Sequence, residues 1–234
     1  MIAIGYRGNE EVLRAVNKLR EEGVEVEVVK NAKDLVDGLF NKKYLGAIRG
    51  SLPSSEVIPL IRKRINFYRA SILKNPFSND IFLLSPVGID EVKNIEDKIN
   101  IIKYGAKFLE SNNIKPKIAL LSGGRLEDLG RDERVDKSIK EAELIKNKLR
   151  DFYNIEHRGI VIEEYLKENF NFIVAMDGIT GNLIFRCLAL VCNLEGYGAI
   201  LLSKKPINYI DTSRNANWKR YYNAAKLLIN KFRV

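Results

Sequence analysis

Short apolar segments with strand character alternate with longer segments of helical periodicity along most of the chain. Such alternation is typical of an α/β fold whose strands form a mainly parallel sheet. The predicted strands are 2–4, 24–29, 45–48, 70–73, 81–85, 117–121, 172–176, 199–202 and 208–210. The predicted helices are 10–22, 32–41, 95–111, 135–150, 160–168 and 218–231, with one more capped by Ser54 or Ser55 and another after the strand 172–176.

One strand-to-helix connection carries a distinctive polar motif. The apolar run 172–176 is typical of a strand that is buried on both faces. The candidate residues that follow it are Asp177, Gly178, Thr180, Gly181 and Asn182. The two glycines allow a tight turn and a close approach to a ligand, and Thr180 or Asn182 can cap the next helix. Because a helix start presents free N–H groups, the motif predicts a phosphate-binding turn, with an ordinary strand-to-helix turn as the alternative.

Three further polar loops follow predicted strands, at 49–51, 122–125 and 211–215. Their candidate ligand residues are Arg49, Ser51, Ser122, Gly123, Gly124, Arg125, Ser213 and Arg214. Ligands of α/β sheets lie beyond the carboxyl ends of the strands, and arginine binds phosphate through two parallel hydrogen bonds. Turn chemistry and helix capping account for each loop taken alone. If the four loops converge, they form a site for a small anionic substrate.

The formal net charge of +9 could indicate a nucleic-acid partner. However, the basic residues are spread through the helices among acidic ones, and no dense basic stretch carries interleaved aromatic residues. We therefore expect no nucleic-acid partner. The apolar runs are shorter than the ~20 residues needed to cross a membrane, and the first residues lack a signal-peptide layout. We expect no membrane partner and a cytoplasmic location.

Histidine and cysteine are too sparse for several kinds of site. His157 is the only histidine, so catalytic triads built on histidine and His-rich metal sites are not expected. Cys187 and Cys192 lie in one apolar helical stretch, at a spacing that suits neither a metal site nor a disulfide across a helix. We predict two buried free thiols and no metal.

Several segments resemble those of known acyltransferases. Residues 46–53 resemble the segment after an early strand in the phosphate acetyl/butyryltransferases, and 118–124 resemble their strand and loop ahead of a Glu-rich helix. Residues 177–182 are similar to the Asp-Gly-x-x-Gly-Asn of the phospholipid-synthesis acyltransferase PlsX, and 155–159 resemble the segment that precedes it.

The end of the chain extends this resemblance. Residues 198–202, 205–208 and 213–214 resemble the phosphotransacetylase ending Gly-Pro-Ile-Leu, Lys-Pro-Val-Asn, Ser-Arg. The order of the segments is collinear over residues 46–230. The whole chain looks most like the archaeal MtxX proteins, a methanogen-associated group that carries a provisional methyltransferase label.

The resemblance implies an isocitrate-dehydrogenase-like fold, a three-layer sandwich with a mainly parallel sheet and two lobes around a cleft. It implies one lobe from residues 1–65 with 196–234, another from 66–195, and a homodimer. In the acyltransferases the cleft takes coenzyme A, acyl phosphate or phosphate. We therefore expect coenzyme A or an acyl phosphate as substrate and no tightly bound cofactor.

The resemblance also assigns roles to residues. Ser213 and Arg214 match residues that orient the substrate's carbonyl and phosphoryl oxygens, and Gly181 and Asn182 match the anion contact at a helix start. Phosphotransacetylases place an aspartate base about seven residues after that serine. Here the neighbourhood reads Asn-Trp-Lys-Arg over 217–220, with no carboxylate. Asp177 or Asp211 would have to act as base instead, with capping or closing of the turn as the alternative role of Asp177.

Three functions follow as hypotheses. The first is a transferase that moves an acyl or phosphoryl group between phosphate and a thiol such as coenzyme A. The second is methyl transfer linked to methanogenesis. Residues 4–8 lack the Gly-x-Gly-x-Gly spacing of S-adenosylmethionine sites and no acid follows the strand 24–29, whereas a corrinoid or pterin methyl donor stays an open alternative to which no residue points. The third is binding of an anion or nucleotide without turnover, because a missing base is typical of non-catalytic relatives of enzymes.

Overall fold

The computed structural model describes residues 1–230, which fold into two compact units. Of the described residues, the first unit contains 1–67 and 196–230, and the second contains 68–195. The fold is mixed α/β, with mostly parallel strands and helices on both sides of the sheet. The predicted fold class is therefore confirmed.

The bounds of the elements are as follows. The strands are β1 (Ile2–Gly5), β2 (Val26–Val29), β3 (Ala47–Ile48), β4 (Tyr68–Lys74), β5 (Ile81–Ser85), β6 (Ile118–Leu120), β7 (Ile155–His157), β8 (Phe172–Val174), β9 (Gly196–Leu202) and β10 (Tyr209–Asp211). The α-helices are α1 (Glu10–Glu21), α2 (Ala32–Phe40), α3 (Ser54–Arg62), α4 (Ile95–Ser111), α5 (Glu133–Leu149), α6 (Ile162–Lys167), α7 (Gly178–Phe185) and α8 (Trp218–Ile229). A π-helical segment, Arg186–Val191, continues α7.

In the first unit the strands lie in the order β2-β1-β3-β10-β9. Strand β3 is parallel to both β1 and β10, with Ala47 opposite Ala3 on one side and Tyr209 on the other. Strand β9 pairs antiparallel with β10. Helices α2 and α3 pack together over a buried apolar core that includes Leu35 and Ile61. Because β1, β3 and β10 point the same way, the loops that follow them share one edge.

In the second unit the strands lie in the order β4-β5-β8-β6-β7. Strands β5, β8, β6 and β7 are parallel neighbours, and β4 pairs antiparallel with β5. Helix α4 packs on β8, where a Cβ on Gly105 would lie 2.2 Å from the Phe172 ring. The absence of a side chain at Gly105 thus lets the helix approach the sheet closely. The carboxyl ends of β6, β7 and β8 also share one edge.

Some predictions about local structure were wrong. Strand β7 was not predicted, because two of its three residues are polar. Helix α3 has Pro53 at its N-cap, and neither Ser54 nor Ser55 caps it. The last helix was predicted to end at Lys231, which lies outside the described residues.

The prediction of buried cysteines was also wrong, because Cys187 and Cys192 are both exposed. They lie in or just after the π-helical segment, in an apolar stretch that solvent reaches. Leu183 and Val191 in that stretch are 60% and 75% exposed. An apolar sequence therefore does not mean burial here. Within residues 1–230, no helix combines the length and the apolar character needed to span a lipid bilayer.

Candidate functional site

The loops after β3 and β10 are joined by Arg49 in the first unit. Its buried guanidinium donates hydrogen bonds to the Asp211 carboxylate, to the Leu52 carbonyl at 2.7 Å and to the Thr212 carbonyl. Burial acts to lower the pKa of Arg49, but the Asp211 carboxylate, together with the nearby Tyr209 and Tyr221, outweighs it and the pKa is raised. The charged guanidinium therefore links the two loops through hydrogen bonds. A role of Arg49 as a phosphate ligand stays a prediction.

Ser51 joins this edge to the loop after β1. Its buried hydroxyl accepts a hydrogen bond from the Arg7 backbone N–H at 2.7 Å. Gly50 beside it has a φ of +60°, and a Cβ there would lie 1.8 Å from the Gly5 carbonyl oxygen. The loop 6–9 thus belongs to the same edge, although it is not among the loops that the sequence motifs predict for the site. Its polar residues directly after β1 were the available signal.

The Ser213–Arg214 segment is held by its backbone. The Tyr221 hydroxyl lies 2.9 Å from the carbonyl oxygens of both Ser213 and Arg214, and the Asn9 side-chain amide donates to the Arg214 carbonyl at 3.0 Å. The Arg214 side chain is exposed, and it has no hydrogen bond or ion pair within residues 1–230. A fixed backbone therefore presents a free guanidinium at this edge.

A cavity of about 470 Å³ lies on the same edge, lined by residues 8–11 and 215–217. Helices α1 and α8 both begin there, capped by the side chains of Asn9 and Asn217. The carboxylates of its lining are occupied, since Glu10 accepts from the Tyr6 hydroxyl at 2.6 Å and Glu11 accepts from the Trp218 backbone N–H at 2.8 Å.

In the second unit, the side chains of the motif 177–182 contact the protein itself. Asp177 is the N-cap of α7 and accepts a hydrogen bond from the Thr180 N–H at 2.8 Å. The alternative that Asp177 caps the turn is therefore confirmed, and the prediction that Thr180 or Asn182 caps this helix was wrong. The acidic side chain directly at the strand end reaches the first turn and takes that position. The carboxylate therefore serves the start of the helix.

The glycines and the asparagine of this motif contact the chain itself. A Cβ on Gly178 would lie 1.6 Å from the Gly88 carbonyl oxygen, and one on Gly181 would lie 1.8 Å from that of Pro86. The Asn182 side chain donates to the Val87 carbonyl at 2.9 Å. These residues hold the loop 86–88, so the protein's own backbone occupies the approach that we had assigned to a ligand.

The loop 86–91 is fixed in turn by a buried ion pair. The Glu91 carboxylate accepts from Arg69 Nε at 2.8 Å, from the Arg69 backbone N–H at 3.0 Å and from the Gly88 N–H at 3.2 Å. Burial raises the pKa of Glu91 and outweighs the opposing effect of Arg69. The start of α7 therefore packs against a loop, 86–91, that these hydrogen bonds hold in place.

The loop after β6 contains a chain of three hydrogen-bonded side chains. The Ser122 hydroxyl lies 2.9 Å from Nε2 of His157, and Nδ1 of His157 lies 2.7 Å from the Glu143 carboxylate. The sequence did not predict this contact, and the expectation of no histidine-based catalytic triad stays a prediction. Ser122 and His157 stand at the ends of neighbouring parallel strands, and this pairing cannot be read from a single histidine in the sequence.

The rest of this loop is also ordered by nearby groups. The Gly123 N–H donates to the Ser138 hydroxyl at 2.9 Å, and the Gly124 carbonyl lies 2.9 Å from the Ser122 hydroxyl. Arg125 is exposed, with the Glu127 carboxylate 3.8 Å from its guanidinium. Within residues 1–230, no group of three or more His, Cys, Asp or Glu side chains is placed to hold a metal ion.

The structure thus gathers the predicted residues into two sets. Arg49, Ser51, Ser213 and Arg214 share the carboxyl edge of the first unit. The loops 122–125 and 177–182 follow the neighbouring strands β6 and β8 of the second unit. The predicted convergence of all four loops on one anion stays a prediction.

No family model matches the chain. A Methanocaldococcus jannaschii protein named as an uncharacterized methyltransferase is 60% identical over 236 residues, which cover 98% of this chain and 97% of that protein. A Methanosarcina barkeri protein named "Putative methyltransferase mtx subunit X" is 38% identical over 198 residues, which cover 82% of this chain and 72% of that protein. The chain belongs to the MtxX family. The resemblance seen in the sequence is therefore confirmed.

Solved structures show which fold this MtxX protein has. A branched-chain phosphotransacylase from Enterococcus faecalis superposes with a TM-score of 0.75 at 15% identity, covering 99% of both chains. A phosphotransacetylase from Streptococcus pyogenes superposes with a TM-score of 0.70 at 15% identity, covering 99% of the MtxX chain and 93% of the other. At such identities the likeness shows the fold and leaves the chemistry to the residues.

Proposed function

We propose that this protein is a transferase of the phosphotransacylase type, which moves an acyl or phosphoryl group between phosphate and a thiol such as coenzyme A. The fold it shares with two phosphotransacylases supports this proposal. The observation that carries it is the Ser213–Arg214 segment. The backbone of this segment is fixed by Asn9 and Tyr221, while the Arg214 guanidinium stays exposed and unpaired among the described residues.

The chemistry explains the need for such a group. Attack of a thiol on an acyl phosphate builds negative charge on the carbonyl oxygen and on the leaving phosphate. A fixed guanidinium stabilises that charge, because it needs no reorientation during the reaction. Ser213 beside Arg214 supplies a hydroxyl that can bind the carbonyl oxygen.

The proposed reaction also needs a base that takes the proton of the thiol. Asp211 accepts a hydrogen bond from Arg49 and Asp177 caps α7, so both carboxylates that we had considered are already engaged. Asn217 is the cap of α8, and Lys219 and Arg220 cannot act as a carboxylate base. The pKa of Arg220 is lowered by burial, but the group stays far too basic to accept a proton at neutral pH.

Calorimetric titration with acetyl phosphate, coenzyme A, phosphate and S-adenosylmethionine tests the proposal. We expect the wild-type protein to bind coenzyme A or acetyl phosphate, and Arg214→Ala to weaken that binding at least tenfold. Arg134→Ala is the matched control, because Arg134 is also exposed and lies on α5 in the other unit. Unchanged affinity in Arg214→Ala would remove this residue from the site.

Methyl transfer is the second candidate, and it is supported by the names of the methanogen relatives. The residues of the first unit do not favour S-adenosylmethionine as donor. After β2, the position that needs an acid holds Asn31, whose side chain caps α2. Binding of S-adenosylmethionine alone in the titration would favour this candidate. Binding of an anion without turnover would favour a non-catalytic function.

We also propose that the protein is a cytoplasmic homodimer. The apolar stretch that contains Leu183 and Val191 supports self-association, because large apolar side chains at 60% and 75% exposure gain free energy from burial in an interface. The mass of the protein in solution tests this proposal.

A further inference from the structure

The second unit contains a side-chain arrangement to which the proposed function assigns no role. Ser122, His157 and Glu143 form a continuous hydrogen-bonded chain through the two nitrogens of one imidazole ring, at 2.9 Å and 2.7 Å. Ser122 follows β6, His157 is the last residue of β7, and Glu143 lies on α5, which packs against β7. Three separate elements therefore supply the three groups of a nucleophile, a base and an orienting acid.

The tautomer of the ring follows from its partners. The Glu143 carboxylate lies 2.7 Å from Nδ1 of His157. A carboxylate accepts hydrogen bonds, so Nδ1 is the donor in this contact. In a neutral ring, Nε2 is then left as an acceptor that faces the Ser122 hydroxyl. This is the tautomer in which histidine takes a proton from serine.

We infer that Ser122 is a nucleophile, activated by His157 and oriented through Glu143, that accepts an acyl group from a small anionic acyl donor. The inference rests on the proposed function for its substrate class. It names a proton acceptor within the second unit itself, His157, for a thiol that attacks there.

A cavity of about 200 Å³ lies beside the imidazole, lined by Arg125, His157 and Arg158 and also by the carboxylates of Glu127 and Glu164. Ser122 is 1% exposed and does not line it, so a donor in this cavity meets the imidazole before the serine. The Arg158 guanidinium is hydrogen-bonded to Glu156 and Glu168. The Arg125 guanidinium is exposed, and its distance of 3.8 Å from the Glu127 carboxylate is too long for a hydrogen bond. Arg125 is thus the group in this cavity that can turn to the phosphate of an acyl phosphate.

The loop also offers a donor for the developing oxyanion. The Gly123 N–H is occupied by Ser138, but within residues 1–230 the Gly124 N–H has no hydrogen-bond acceptor. A free backbone N–H two residues after the nucleophile can stabilise the tetrahedral intermediate.

The reaction is balanced in two steps. In the first, Ser122 Oγ bonds to the acyl carbon and its proton passes to His157 Nε2. The bond from the acyl carbon to the phosphate oxygen breaks, and His157 gives the proton to the departing phosphate, so the ring is neutral again. In the second, a thiol gives its proton to the neutral His157, its sulfur attacks the ester carbon, and the bond to Ser122 Oγ breaks as His157 returns that proton to the serine oxygen. No oxidant or reductant is needed.

A competing contact makes the inference testable. The Ser122 hydroxyl has one proton, and the Gly124 carbonyl at 2.9 Å is an alternative acceptor for it. If the proton stays with Gly124, the three side chains only fix the loop. A reagent that reacts with activated serines separates the two roles, because a serine that merely holds a loop does not react with it.

We would incubate the protein with a small alkyl fluorophosphonate, and separately with acetyl phosphate, and locate the adduct by mass spectrometry of the digested protein. We expect one adduct, on Ser122. Ser122→Ala should abolish it, His157→Gln should slow labelling at least 100-fold, and Glu143→Gln should slow it at least tenfold. Ser111→Ala, which removes an exposed serine hydroxyl on α4, should label like the wild type.

Glu143→Gln protects the test against misfolding, since the carboxylate is partly exposed and the amide has the same shape. Equal labelling of the wild type and this folded variant, or no labelling of the wild type, would overturn the inference. Labelling of Ser122 without transfer to any thiol would keep the nucleophile and refute the proposed function. Full transfer activity in Ser122→Ala would keep the function and refute the nucleophile.

Discussion

Arg49 at the end of β3 donates a hydrogen bond to the carboxylate of Asp211 at the end of β10, 162 residues later in the chain. Both side chains are almost fully buried, at 7% and 10% exposure. The pair joins two parallel strands whose sequences are far apart, and it fixes the loops that follow them. A buried pair of this kind matters most when one partner is lost, because the other charge is then left without compensation.

We therefore expect Arg49→Met to lower the free energy of unfolding by about 3–5 kcal/mol, the range for removal of one member of a buried ion pair. Urea denaturation followed by circular dichroism measures the change. The double variant Arg49→Met with Asp211→Leu should recover part of the loss. As a control, Arg134→Ala breaks an exposed pair with Asp132, which solvent screens, and should lower the free energy of unfolding far less. Equal effects of the buried and exposed substitutions would contradict this view of Arg49.

Gly178 gives a second prediction, since its missing side chain makes room for the loop 86–88. A Cβ at this position would lie 1.6 Å from the Gly88 carbonyl oxygen, so Gly178→Ala must displace backbone. We expect a loss of about 1–3 kcal/mol in the free energy of unfolding, the usual cost of overpacking. Thr180→Ala, two residues further on the same helix, is the control and should stay within about 0.7 kcal/mol of the wild type. An unchanged free energy of unfolding in Gly178→Ala would show that the loop 86–88 can move to make room for the added methyl group.

The strand-to-helix order of this protein could be predicted because apolar periodicity is a local signal. Phe172–Val174 and Ile81–Ser85 are examples, as each is an apolar run that ends in a polar or glycine-containing turn. The short strand Ile155–His157 was missed, because its pattern of one apolar and two polar residues has no strand periodicity. Its parallel pairing with β6 is what makes it a strand.

The sequence predicted which loops carry the candidate site residues, but it did not predict the contacts that these residues make. The Gly178 and Gly181 positions were correctly seen as places of close approach, but the group that approaches is the chain's own loop 86–88. The sequence does not show which partner a glycine makes room for. Likewise, His157 meets Ser122 and Glu143 across 35 and 14 residues, and this contact arises only from the strand order of the sheet.

Asp177 gives a prediction that separates a structural role from a catalytic one. Its carboxylate caps α7 through the Thr180 N–H at 2.8 Å. Asp177→Ala should lower the free energy of unfolding by about 1 kcal/mol, whereas Asp177→Asn should keep the cap and most of the stability. Asparagine cannot act as a base, so the Asn variant also reports on catalysis. Acyl transfer that survives in Asp177→Asn would remove Asp177 from the list of bases, and its loss in a fully stable variant would restore it.

Tyr165 predicts a change of stability at high pH. Burial raises its pKa to about 12, from the model-compound value of 10.0. The phenol is therefore protonated in the folded protein at a pH where the unfolded chain has begun to ionise. Its contribution to stability is complete below pH 10 and is lost as the pH rises from about 10 towards 12. Tyr165→Phe should make the decline of the free energy of unfolding over this range less steep.

Urea denaturation at a series of pH values from 9 upward tests this behaviour, because unfolding midpoints report the free energy at each pH. Other buried tyrosines also contribute to the decline, so the wild type and Tyr165→Phe are compared at every pH. The Tyr165→Phe protein will be less stable at neutral pH as well, since its hydroxyl accepts a hydrogen bond from the Arg158 N–H. Parallel curves for the two proteins above pH 10 would show that Tyr165 ionises as freely in the folded state as in the unfolded one.

The exposed apolar stretch around α7 predicts the oligomeric state. Ile179 and Leu183 lie one helical turn apart at 59% and 60% exposure, and Val191 beyond them is 75% exposed. Side chains at this spacing share one face of a helix, so they form an apolar strip that a second copy of the chain can cover.

We expect the wild type to elute as a dimer in size-exclusion chromatography with light scattering. Leu183→Glu should shift the mass to that of a monomer, because it places a charge in the buried interface. Phe152→Glu, at a separate position of 77% exposure, should leave the dimer intact. A monomeric wild type would show that the strip stays open to solvent, and dissociation by both substitutions would place the interface elsewhere.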